Sequence, residues 1–76
     1  MLNRFAMTII RATVFYPSTT TPATVFHVGN ALPPDKRIIR KMTYHSETNS
    51  LVFYGDNDKT IGMICNLPCY LVYDDK

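Results

Sequence analysis

The sequence has few of the residues on which most enzyme sites depend. Its 76 residues include three glycines, two cysteines, a single glutamate and no tryptophan. With glycine only at Gly29, Gly55 and Gly62, the chain has neither a Walker loop nor a G-x-G-x-x-G phosphate loop. The lone Glu47 gives no basis for a pair of catalytic carboxylates. These absences predict a protein that is not an enzyme and that needs no cofactor.

Long apolar runs are also missing. Only a few apolar residues separate Arg4 from Arg11, far fewer than a secretory signal or a membrane span requires. The default expectation is a cytoplasmic protein with no membrane contact. We expect residues 1–6 to be a disordered leader and residues 7–76 to form a single small β domain.

The composition is that of a folded chain with modest charge. Hydrophobic residues make up 46% and charged residues 18%, which excludes a disordered tail. Chains this short often gain stability from a partner or from self-association, so a homodimer is expected. The net charge is only +2. Four cations cluster in the middle of the chain and four aspartates lie in the C-terminal half, which predicts one basic side and one acidic side: Lys36, Arg37, Arg40 and Lys41 against Asp56, Asp58, Asp74 and Asp75.

A β-hairpin is the clearest local signal. Two arms rich in Thr, Tyr, Val and Phe flank a polar segment, 46–49, that ends in Asn49. Asparagine tolerates positive φ and can therefore close such a loop. The predicted register places His45 opposite Ser50 and Lys41 opposite Tyr54. Side-chain alternation then puts Met42, Tyr44, Leu51 and Phe53 on a core face, and Lys41, Thr43, His45, Ser50, Val52 and Tyr54 on the other.

Further short strands predict the fold class. β-Branched and aromatic runs, separated by turn residues, predict strands at Thr8–Tyr16, Ala23–Val28, Arg37–His45, Ser50–Tyr54, Thr60–Cys65 and Cys69–Tyr73. In the first of these, Ile10, Ala12, Val14 and Tyr16 share one face. The short connections favour antiparallel pairing. We therefore predict an all-β fold, a small five- to six-stranded barrel or sandwich. One short helix near residues 34–41 is the alternative for that segment.

A basic and aromatic face is the leading candidate site. Strand alternation places Arg37, Lys41 and His45 together with Ile39 and Thr43, and the hairpin brings Tyr54 beside them, while Arg40 falls on the opposite face. Cations that contact phosphates beside rings that stack on bases are the features of a single-stranded nucleic-acid platform. A solvated outer face, with basic residues protecting an edge strand, is the alternative.

The cysteines and histidines are a weak metal signal. Cys65 and Cys69 form C-x3-C and not the redox C-x-x-C, and His27 and His45 lie 18 residues apart. The four could supply a Cys2His2 zinc set, but they lack the spacing of a zinc finger. The simpler interpretation is that both cysteines are small buried hydrophobic residues at a turn, with no metal bound.

The sequence thus predicts a protein that acts by binding. The leading hypothesis is a small protein-interaction module, or an inhibitor or regulator that docks on a larger macromolecule, such as a viral accessory protein. Nine aromatic residues, five of them tyrosine, suit an interface. The first alternative is a nucleic-acid-binding small β-barrel that uses Arg37, Lys41, His45 and Tyr54. The second is a metal- or thiol-dependent protein that uses Cys65 and Cys69.

Overall fold

Six antiparallel strands form two three-stranded sheets. The computed structural model describes residues 8–18, 20–33 and 36–74. The strands are β1 Thr8–Val14, β2 Thr24–His27, β3 Lys41–His45, β4 Ser50–Tyr54, β5 Thr60–Cys65 and β6 Cys69–Asp74. Their order is β2-β1-β6 in one sheet and β3-β4-β5 in the other, and the sheets are not closed into a barrel. The expected antiparallel β class is confirmed.

One core joins the inner faces of the two sheets. The rings of Phe26 on β2 and Phe53 on β4 meet with their centroids 4.8 Å apart. The remaining buried members of this core come from both sheets and from the segment between β2 and β3: Ile9, Ala12, Val14, Leu32, Ile39, Met42 and Leu51. Burial of these side chains is the main stabilising contribution in a domain of this size.

The β3–β4 hairpin has the predicted register. His45 lies opposite Ser50 and Lys41 opposite Tyr54. Asn49 ends the loop with a φ of 52°, the left-handed conformation expected of asparagine at this position. The outer face is less open than expected, because Ser50 and Val52 are both buried. Strand β4 is central, and its outward side chains are flanked by β3 and β5.

Strand β1 corrects the predicted face pattern at its start. Ala12 and Val14 are buried as expected, but Ile9 is buried and Ile10 is exposed. The pairing of β1 with β6 shifts register between Ile9 and Arg11, so Ile10 is an extra residue. A bulge of this kind reverses the alternation on one side of it, which sequence periodicity does not reveal.

The segment before β3 is neither the predicted long strand nor a helix. Strand β3 begins at Lys41, and residues 36–40 contain no helix. Instead, Ile38 makes an isolated bridge with Ala31, and the Ile39 amide donates to the carbonyl of Asn30. This pairing directs Ile39 into the core, so it does not share an outer face with Arg37 and Lys41 as expected, and Arg40 is exposed rather than on the core side.

Some sequence expectations fall on residues that the structure does not describe. The proposed leader at residues 1–6, Met7 and the start of the proposed helix at 34–35 lie outside the described ranges. Within those ranges, helix-like backbone is limited to a short 3-10 turn at Asp56–Asp58, in which Asn57 and Asp58 have left-handed φ angles of 60° and 56°. No helix in the described part is both long enough and apolar enough to cross a membrane.

Candidate interaction surface

The hairpin brings three of the four predicted site residues together on its outer face. The Lys41 ammonium lies 4.8 Å from the centroid of the Tyr54 ring, as the cross-strand register requires. Thr43 connects the other two residues. Its hydroxyl donates to the Tyr54 hydroxyl oxygen at 3.4 Å and lies 3.3 Å from His45 Nε2. Lys41, His45 and Tyr54 are therefore neighbours with partners inside the protein.

Aspartates of the 3-10 turn lie beside this basic segment. Arg40 Nε is 2.9 Å from an Asp56 carboxylate oxygen, and Lys41 Nζ is 3.6 Å from an Asp58 oxygen. All four side chains are exposed, so these pairs add little stability. They do reduce the local positive charge. Acidic and basic groups are thus interleaved here, and the expected separation of Asp56 and Asp58 from the basic side is wrong.

Arg37 belongs to a different place in the fold. It precedes β3 and lines a cleft of about 410 Å³. We call this feature the basic cleft; its lining residues are Lys36, Arg37, Ile38, Gly55, Asp56, Asn57, Lys59 and Ile61. In the described part of the chain, this lining includes three cations, one carboxylate and the aliphatic side chains of Ile38 and Ile61. Lys59 was not singled out by sequence reasoning, because it joins the cluster only through the turn that precedes β5.

An apolar groove of about 450 Å³ lies between the edge strands β2 and β5. We call it the apolar groove; it is lined by Tyr16, Phe26, Leu32, Pro33, Phe53, Ile61, Gly62, Met63 and Ile64. At Gly62 a Cβ atom would lie 2.9 Å from Leu32 Cδ2, so glycine allows Leu32 to approach β5 closely. Glycine inside an otherwise apolar strand is the one sequence signal that could have indicated this feature.

Large apolar side chains are also exposed elsewhere. On the outer face of the β2-β1-β6 sheet, Val25 and Tyr70 lie on either side of Thr13 and are 49% and 61% exposed. Phe15 follows β1 and is also exposed. Met63, at the apolar groove, is 59% exposed. Exposed apolar side chains of this size are candidates for contact with a partner.

The cysteines and histidines of the weak zinc set do not come together. Cys65 is an exposed free thiol and Cys69 is a half-buried free thiol. Cys69 Sγ donates to the Leu67 carbonyl oxygen at 3.4 Å, and burial raises the pKa of this thiol above its ordinary value. In residues 8–18, 20–33 and 36–74, no group of three or more His, Cys, Asp or Glu side chains could hold a metal ion. The thiol-dependent function stays a prediction.

Comparison with known proteins gives no relative. No protein-family model, no curated protein and no solved structure matches the chain.

Proposed function

We propose that this protein is a non-enzymatic protein-interaction module, or a small inhibitor or regulator, that docks on a larger protein. The observation that carries the proposal is the apolar groove beside the unpaired edge of β5. Strand β5 pairs with β4 on one side, and in the described part of the chain no strand pairs with its other side. An exposed edge next to apolar surface is a template for an added strand.

The scaffold that presents this surface is, in our proposal, an open sandwich. Its two sheets share a core through the Phe26–Phe53 contact, while the groove occupies the space between β2 and β5. A partner strand in that position would cover core residues that the domain leaves partly accessible. This would explain why a 76-residue chain keeps two edge strands apart instead of pairing them.

Matched variants of two exposed residues test the proposal. Met63→Glu places a charge on the edge strand β5, beside the apolar groove, whereas Tyr70→Glu places one on the other sheet at a nearly equal exposure. Loss of a hot-spot contact weakens binding by about tenfold or more. In affinity capture from nuclease-treated host lysate, we expect Met63→Glu to lose a partner that wild type and Tyr70→Glu both retain. Equal capture by all three proteins would contradict the use of the groove.

Nucleic-acid binding is the second candidate, favoured by the Lys41 ammonium over the Tyr54 ring. Size-exclusion chromatography with light scattering, with and without short single-stranded DNA and RNA, separates the two candidates and also measures whether the chain dimerises. A salt-reversible mass increase, with a salt slope that Lys41→Ala lowers by about one, would favour nucleic acid. No shift at low salt would leave protein binding as the function.

A further inference from the structure

The basic cleft and the apolar groove are continuous along one strand. Ile61 lines both of them. Lys59, just before β5, lies in the basic cleft, and residues 62–64 of β5 lie in the apolar groove. A chain laid along the free edge of β5 would therefore meet a cationic site at one end and apolar surface along the rest.

Among the described residues, the lining of the basic cleft carries more positive than negative charge. The carboxylate in that described lining, Asp56, is 2.9 Å from Arg40. Within the described residues, neither Lys36 nor Lys59 takes part in an ion pair. Two ammonium groups, those of Lys36 and Lys59, thus line the cleft. This charge distribution is complementary to an oxyanion.

The rest of the lining indicates which oxyanion fits. Among the residues that the structure describes, no aromatic ring lines the basic cleft, so this lining offers no surface on which a nucleobase could stack. Ile38 and Ile61 add aliphatic surface to the cleft, and the adjoining groove is apolar. A peptide with a carboxylate next to apolar side chains matches a basic cleft next to an apolar groove better than a phosphate backbone does.

We propose that the partner segment is an extended peptide in which an aspartate or glutamate adjoins alternating apolar residues. It adds as a strand to the free edge of β5, with its carboxylate in the basic cleft and its apolar side chains toward the groove. This rests on the proposed function and specifies the partner's chemistry. Because β5 has six residues, a segment of about eight residues spans both features.

A displayed library of random peptides, about eight residues long, tests the inference directly. Selection on wild type should enrich peptides with an acidic residue at one end of an alternating apolar stretch. The same selection on a Lys36→Gln/Lys59→Gln double variant should lose the acidic preference, while Lys41→Gln, outside the cleft, should keep it.

In a selected peptide, Glu→Gln should weaken binding to wild type about fivefold and leave binding to the double variant unchanged. Amide exchange should slow at Thr60–Cys65 on binding.

Other results would overturn the inference in distinguishable ways. Enrichment of neutral apolar peptides, lost in Met63→Glu, would refute the acidic chemistry and leave the proposed function standing. Enrichment that Met63→Glu leaves unchanged, or no enrichment at all, would refute the added strand, and the affinity capture would then decide the proposed function separately. Equal loss of acidic preference in Lys41→Gln would show general electrostatic attraction instead of a site. Displacement of the peptide by short single-stranded DNA at physiological salt would identify nucleic acid as the occupant.

Discussion

The outer faces of the two sheets differ although both sheets have three antiparallel strands. On the β3-β4-β5 sheet, Val52 is only 8% exposed, because Thr43 and Met63 lie directly opposite it on the flanking strands. On the β2-β1-β6 sheet, the outward Val25 is 49% exposed. Val52 lies on the central strand β4 and has a strand on each side, whereas Val25 lies on β2, which in the described part of the chain has a strand on one side only. The position of a strand within its sheet therefore decides how far an outward valine is covered.

The largest predicted effect on stability is the difference between truncating a buried phenylalanine and truncating an exposed one. Phe53 is 1% exposed and contacts Phe26, whereas Phe15 is 45% exposed. Phe53→Ala should lower the free energy of unfolding by about 3–5 kcal/mol, much of the roughly 4–11 kcal/mol expected for a domain of this size. Phe15→Ala should change it by about 0.5 kcal/mol or less. Urea denaturation followed by circular dichroism measures both; similar losses would contradict the described core.

A matched pair of valines tests the two outer faces. Val52→Ala should cost about 1–2 kcal/mol, since the removed methyl groups are buried. Val25→Ala should cost less than about 0.5 kcal/mol, since its side chain is half in solvent. The same denaturation measurement applies. Equal costs would mean that the two outer faces are covered alike.

The smallest predicted effect on stability concerns the Lys41–Asp58 ion pair beside the outer face of the hairpin. Asp58→Asn removes the partner of Lys41 and should change the free energy of unfolding by less than about 0.5 kcal/mol, because both side chains are exposed. It also makes the hairpin face more basic. If that face binds single-stranded nucleic acid, the variant should bind more tightly at low salt. Under the protein-binding proposal, titration with a labelled oligonucleotide should show no binding to either protein.

The sequence predicts local pairing well in this chain. Side-chain alternation and an asparagine that tolerates the left-handed conformation are sufficient to predict the β3–β4 hairpin, because both are properties of residues close in sequence. The face reversal at Ile10 was not predictable, since a bulge depends on the partner strand β6. The role of Ile39 was missed for a similar reason: it enters the core only because Asn30 and Gly29 pair with it.

The candidate surface was less accessible to sequence reasoning than the hairpin. Lys41, His45 and Tyr54 lie within one hairpin, so local register brings them together. The basic cleft joins Lys36 and Arg37 with Lys59, and the apolar groove joins β2 with β5. Both depend on how segments distant in sequence pack, and no periodicity within a single strand records that packing.

The missing side chain at Gly62 sets the register of β5. Leu32 occupies the space above it, where a Cβ atom would lie 2.9 Å from Leu32 Cδ2. If β5 slid by one residue along β4, Ile61 or Met63 would come under Leu32 and collide with it. Gly62 is thus the position along β5 at which Leu32, which belongs to the segment between β2 and β3, can pack against the strand. If β5 accepts a partner strand, as we propose, this fixed alignment keeps β5 from shifting along β4 when the partner binds.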